Sequence, residues 1–213
     1  MIKCGIFIDG FNLYHSLKDA ATYTGCACVK WLNIASLCNF FIHGPVRSFL
    51  RQPISCECIH YYSAIPNHAP SLTRKRHNLY MQCLSKTGIE VHLGNYRKRT
   101  AICKLCKGQY TYHEEKETDV AIGVGILQHS INTELDAVII VSGDSDLVPA
   151  FKSLKEMRPC TATIAAMPYK RSLNAVKNSV DHHLNIKPAR YIEHQFNDPH
   201  VFPDGTNLSK PLT

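Results

Sequence analysis

The sequence predicts an α/β protein built on a mostly parallel central sheet. Residues 137–141 (AVIIV) form an uncharged, largely β-branched run that suits a strand buried on both faces. Ser142-Gly143 turns the chain, and Leu147, Phe151 and Leu154 then recur at helical spacing. The amino terminus repeats the pattern. A short apolar strand over residues 2–8 gives way, after Asp9-Gly10-Phe11-Asn12, to a helix over 13–20. In both places carboxylates stand where a strand's carboxyl end meets a helix start, the edge at which open α/β sheets bind ligands.

The bulk composition fits this class. The chain has 213 residues, enough to bury a full core, and one domain over 1–187 with an insertion at 97–113 and a tail over 188–213 is expected. Lys and Arg exceed Asp and Glu by 7, a modest excess compatible with a polyanionic partner. The amino terminus enters a strand at once, and no uncharged run approaches the roughly 20 residues of a membrane span. A cytoplasmic protein with no membrane partner is therefore expected. Ten cysteines without a secretory context read as mostly reduced thiols.

The elements follow in order. Residues 21–30 read as a loop and 31–42 (WLNIASLCNFFI) as an apolar helix stopped by Gly44-Pro45, with Cys38 in the core. Residues 56–65 (CECIHYYSAI) alternate as a strand with Cys56, Cys58 and His60 on one face. Tyr62, near its end, is placed to stack on a base. A helix over 70–86 carries Arg74 and Arg76, which are placed to meet phosphates at the rim of a site or to form a solvated basic face.

Residues 89–96 form the next strand, and Arg97-Lys98-Arg99 leads into Cys103-Lys104-Leu105-Cys106-Lys107-Gly108. Cys-x-x-Cys followed by Gly is the knuckle of structural zinc sites. Two more ligands would have to come from Cys56, Cys58, His60 or His113, and the competing reading is a pair of free thiols in a basic hairpin. Arg97, Lys98, Arg99, Lys104 and Lys107 suit an arm that guides RNA. Glu114, Glu115 and Glu117 precede a helix over 120–131, where acids ordinarily complement the dipole, and Lys116 holds a phosphate or neutralises those acids. Residues 161–167 read as a buried strand, 171–180 as a helix and 184–187 as an edge strand. Asp181-His182-His183 reads as a polar turn rather than a metal site. The proline-spaced remainder is expected to be a loosely ordered tail or a self-association surface for a homodimer.

Asp9, Asp144 and Asp146 each have an ordinary reading as helix caps. That changes if strands 2–8 and 137–141 are neighbours, about 4.8 Å apart, because Asp9 then faces Asp144 and Asp146. Carboxylates so close cannot all stay ionised without a cation, and an oxygen-loving divalent ion resolves the conflict.

Asp9-Gly10-Phe11-Asn12-Leu13-Tyr14 together with Ser142-Gly143-Asp144-Ser145-Asp146-Leu147 resembles the NYN domain family, PIN-like nucleases that include the LabA-like proteins. Lys30-Trp31-Leu32-Asn33 and Glu114 to Val120 extend the resemblance over most of residues 1–180. It implies a three-layer α/β/α Rossmann-like (PIN-like) fold with a small Cys-containing hairpin insertion. It also implies Mg²⁺- or Mn²⁺-dependent ribonuclease activity, with Asp119 joining Asp9, Asp144 and Asp146 as metal ligands. Asn12 is then expected to orient a water or the scissile phosphate, and Ser142 to support the acidic loop. One departure stands out: related sequences often carry a further aspartate near Gly125. Its absence leaves a second reading, an RNA-binding module with a degenerate, non-cleaving site. A toxin-like endonuclease held by a regulatory partner protein is a further alternative. Phosphatase chemistry of the haloacid dehalogenase type wants Asp-x-Asp after the first strand, whereas this chain has Asp9-Gly10-Phe11.

Overall fold

The computed structural model describes residues 1–210, apart from the side chains of Ala27, Cys28 and Glu115. The dipole role expected of Glu115 and the last three residues of the expected tail lie outside that description. Seven strands form the central sheet: β1 (Ile2–Asp9), β2 (Ile54–Ala64), β3 (Glu90–Ile102), β4 (Gln109–Lys116), β5 (Ala137–Val141), β6 (Ala162–Met167) and β7 (His182–Asn185). Their order is β4-β3-β2-β1-β5-β6-β7. Every neighbouring pair is parallel except β3 with β4. Helices α1 (Gly10–Thr24), α2 (Ile34–His43), α3 (Pro45–Leu50) and α4 (Ser71–Lys86) precede β3, and α5 (Thr118–Asn132), α6 (Val148–Met157), α7 (Asn174–Lys177) and α8 (Pro188–Glu193) follow β4.

The helices divide between the two faces, giving the three-layer arrangement. Leu13 and Leu17 of α1, Leu37 and Phe41 of α2 and Leu84 of α4 pack with Cys4, Ile6 and Ile8 of β1 on one face. Ile122 and Ile126 of α5 with Phe151 and Leu154 of α6 pack on Phe7, Val138 and Ile140 on the other. β5 is buried along its whole length, as its apolar run requires. Because β1 and β5 are adjacent and parallel, their carboxyl ends and following loops lie side by side.

Several boundaries differ from the sequence reading, each for a local reason. α1 starts at Gly10, because Asp9 caps it and Asn12 N–H donates to its Oδ1 at 2.9 Å. Trp31 lies ahead of α2, which Asn33 caps by accepting from Ser36 N–H at 3.0 Å. β3 continues to Ile102, and beyond Gly94 it pairs with β4 alone. The ribbon from Asn95 to Lys116 therefore extends past the sheet edge, about 25 Å at 3.3 Å per residue. A register shift between Cys4 and Gly5 pairs them with Cys56 and Cys58, skipping Glu57. It breaks the expected shared face, so Cys56 lies near Cys4 and Cys38 while Cys58 stays with His60. The helix expected over 171–180 shrinks to Asn174–Lys177. Asp181 accepts from Thr163 N–H at 2.8 Å and Lys155 Nζ at 2.6 Å, so it serves as a turn anchor.

The loosely ordered tail is also corrected. Tyr191, Phe196 and Phe202 are buried in the larger core cluster, and a short ribbon of β8 (His200–Val201) and β9 (Asn207–Leu208) follows. The Tyr191 hydroxyl is 2.8 Å from Ser16 Oγ, which ties α8 to α1. No helix among the described residues is long and apolar enough to cross a membrane.

Tyr191→Ala should lower the unfolding free energy by about 3–5 kcal/mol, the cost of removing a buried aromatic side chain. Leu105→Ala, at a side chain 94% exposed, should change it by less than about 0.5 kcal/mol. Urea denaturation of the two variants checks the pair.

Candidate metal centre and its surroundings

Three carboxylates meet at the sheet's carboxyl edge. One oxygen from each of Asp9, Asp119 and Asp144 lies within 4.8 Å of the others. Asp9 ends β1, Asp119 is in the first turn of α5, and Asp144 follows β5. Asp9 is 3% exposed and held on both oxygens. Asn12 N–H donates to Oδ1, and Ser142 Oγ–H donates to Oδ2 at 2.8 Å. The Ser142 hydroxyl also accepts from Asp144 N–H at 3.0 Å, so one serine joins the two strand ends. Asn12 adds a second link, its Oδ1 accepting from Gly143 N–H at 3.2 Å. A Cβ on Gly143 would overlap the Arg171 carbonyl, which is why glycine is needed in this loop.

Asp9 and its neighbours carry an electrostatic conflict. Burial pushes the Asp9 carboxyl up to about 6; its two hydrogen bonds oppose the shift, and Asp119 and Asp144 add to it. Burial, then Asp144 and Asp146, raise Asp119. An all-oxygen, anionic donor set from three elements fits a hard divalent cation such as Mg²⁺ or Mn²⁺. Asp146 is exposed and outside the converging three. Its N–H donates to Asp144 Oδ1 at 3.0 Å, and its charge reaches Asp119.

Gly125 is not an empty carboxylate position. A Cβ there would overlap the Tyr62 hydroxyl, so the glycine makes room for that ring. Tyr62 is buried and stacked on His92 at 4.5 Å, which removes it as the base-stacking side chain expected from the sequence.

The basic residues fall into two groups. Arg97 pairs with Glu117 at 3.1 Å, Arg99 with Glu114 at 3.2 Å and Lys116 with Glu114 at 2.9 Å. Lys98, Lys104 and Lys107 are exposed on the ribbon or its tip. Arg74 donates to the Asn67 carbonyl at 3.4 Å, and Arg76 lines a cavity beside α1. That cavity, of about 820 Å³, begins at Gly10 next to Asp9 and includes Phe11, Tyr14, Trp31, Tyr80 and Lys30. The spacing of Phe11 and Tyr14 on α1, both about half exposed, was the available sequence signal for it.

Cys103 and Cys106 sit at the ribbon tip, and among the described residues no third metal-ligating group gathers with them. His113 stacks on His68 instead, with ring centroids 3.9 Å apart. Cys58 and His60, considered as partners of that cysteine pair, belong to another cluster with Glu90, His92 and His129. The sequence reading missed this cluster, because its histidines meet only through strand register and the crossing of α5.

Comparison with known proteins agrees with the fold. The family model for the NYN domain matches residues 3–187, and the chain belongs to that nuclease-like family. A curated 6-hydroxy-3-succinoylpyridine 3-monooxygenase from Pseudomonas putida is 22% identical over 182 residues, covering 72% of this chain and 56% of its own. The chain thus spans about half the length of that relative. A crystal structure of a protein of unknown function from Vibrio parahaemolyticus superposes with a TM-score of 0.55 at 17% identity, covering 87% of this chain and 93% of that one. It is similar in fold.

With metal chelated, Asp9 should shape the stability profile. Its folded-state pKa of about 6 lies above the ordinary 3.8, so the folded chain holds the proton between those values. That contribution is complete below pH 3.8 and is lost as pH rises to about 6, lowering stability by about 3 kcal/mol. Urea denaturation in EDTA should show the fall, and Asp9→Asn should flatten it. Separately, Gly125→Ala should destabilise the chain by about 1–3 kcal/mol through overpacking on Tyr62. Tyr62→Phe in the same background should recover part of that loss.

Proposed function

We propose that the protein hydrolyses RNA phosphodiester bonds at the Asp9–Asp119–Asp144 cluster with the aid of Mg²⁺ or Mn²⁺. The observation that carries this reading is the convergence of three carboxylates from β1, α5 and the β5–α6 loop. When bound there, the divalent cation supplies charge compensation at the phosphate and lowers the pKa of a coordinated water. The chain's own residues do the rest. Ser142 and the Asn12 N–H hold Asp9 in one orientation, and the Asn12 side chain fixes the Gly143 turn that presents Asp144. Asp146, exposed beside Asp144, adds negative charge at the rim of the cluster. No side-chain nucleophile is required.

Lys98, Lys104 and Lys107 give the ribbon a phosphate-contacting surface, and Phe11 and Tyr14 offer exposed rings for a base beside the acidic edge. Arg97, Arg99 and Lys116 are each paired with an acid of their own chain. The rival reading is RNA binding without cleavage, although the Tyr62 hydroxyl occupies the space at Gly125 that first suggested a degenerate site. The same substrate test separates the two.

Cleavage of end-labelled single-stranded RNA in Mn²⁺ should be lost in Asp144→Asn. The loss should exceed the roughly 10- to 100-fold expected when a supporting residue such as Ser142 is replaced by Ala. Equal residual cutting in native chain and Asp144→Asn would mark a contaminant, and salt-dependent binding without cutting would favour the binding module. Replacing Lys98, Lys104 and Lys107 together by Ala should weaken RNA binding and reduce the log–log salt slope by about 2, at roughly 0.7 per single-strand contact. Fluorescence anisotropy across a salt series measures it.

A further inference from the structure

We infer that the protein carries a second, chemically distinct metal site, a zinc site ligated by His60, His92 and Glu90 on the α5 face of the sheet. Neither the acidic cluster nor the cysteine pair at the ribbon tip contributes to it. His60 stands two residues before Tyr62 on β2, beside Phe7 of β1, while Glu90 and His92 open β3.

The distances among the three groups match those between zinc ligands. His60 Nδ1 and His92 Nε2 are 3.0 Å apart, and the Glu90 carboxylate lies 3.5 Å from each nitrogen. Tetrahedral zinc with bonds of about 2.0–2.1 Å requires ligand atoms about 3.3–3.4 Å from one another. The three groups thus stand close to one face of a tetrahedron, with the fourth corner left to solvent. Two imidazoles and a carboxylate also make a donor set zinc favours over Mg²⁺.

The rings are held in place before any ion arrives. Phe7 stacks on His60 with centroids 5.2 Å apart, and Tyr62 stacks on His92 at 4.5 Å and 13°. His60 is 1% exposed, and its Nε2 is buried without a hydrogen-bond partner. Zinc on Nδ1 fixes the tautomer that places the ring proton on Nε2. Ligand-capable atoms of Cys58 and His129 lie within 4.8 Å of one another and of His60. Glu90 is 63% exposed and His92 partly so, which gives the ion a way in. Zinc here fastens β3 to β2 at the root of the strand that continues into the basic ribbon.

The test uses the full chain stripped of metal, titrated with Zn²⁺ against a chromophoric chelator and with Co²⁺ by visible absorption. One zinc should bind. His92→Gln and Glu90→Gln, both at solvent-accessible groups whose folding is checked by circular dichroism, should each weaken it by more than roughly 100-fold. A Cys103→Ser/Cys106→Ser double variant and Asp144→Asn should retain it. The Co²⁺ form should show ligand-field bands without sulfur-to-cobalt charge transfer. No stoichiometric zinc in the native chain, undiminished binding in both His92→Gln and Glu90→Gln, loss in the cysteine variant, or a thiolate band would each overturn the inference. Zinc retained in Asp144→Asn while cleavage is lost keeps this site separate from the proposed nuclease site.

Discussion

The hydrogen bond from Ser142 to the buried carboxylate of Asp9 is the contact on which the acidic edge depends. It joins the ends of two adjacent parallel strands, and through the Asp144 N–H it sets the position of the next carboxylate. A buried carboxylate costs free energy unless it is hydrogen-bonded or neutralised. Here the hydrogen bonds only partly offset burial, and the raised Asp9 pKa records the remainder. The fold thus concentrates negative charge where a cation would relieve it.

The strand ends carrying Asp9 and Asp144 were legible because apolar runs broken by a turn leave little choice of structure. Their adjacency was a condition the sequence left open, because two buried parallel strands need not be neighbours; the β1–β5 pairing supplies it. Asp119 needed the family resemblance, because an acid at a helix start has an ordinary dipole role. The length of the ribbon was not legible. Polar, charged strands outside a sheet give no burial signal, and β3 runs on to Ile102 through Arg97, Lys98 and Arg99. The packing of Tyr191, Phe196 and Phe202 escaped for the opposite reason, since isolated aromatics among prolines show no periodicity although each finds a place in the core.

Gly125 shows how a missing side chain can mislead. The sequence reads it as a lost carboxylate, whereas the space it leaves is taken by the Tyr62 hydroxyl. Tyr62 in turn packs on His92, so this filled position touches the histidine cluster directly. Tyr62 therefore fills the space at Gly125 with its hydroxyl while its ring packs on His92.

The most direct test of the central claim is the binding of Mn²⁺ to the full chain, followed by loss of the free-ion signal in electron paramagnetic resonance. The native chain should bind the ion, Asp9→Asn and Asp144→Asn should not, and Asp146→Asn should bind it more weakly. Binding of equal strength in Asp9→Asn, Asp144→Asn and the native chain would contradict a cation held between those carboxylates.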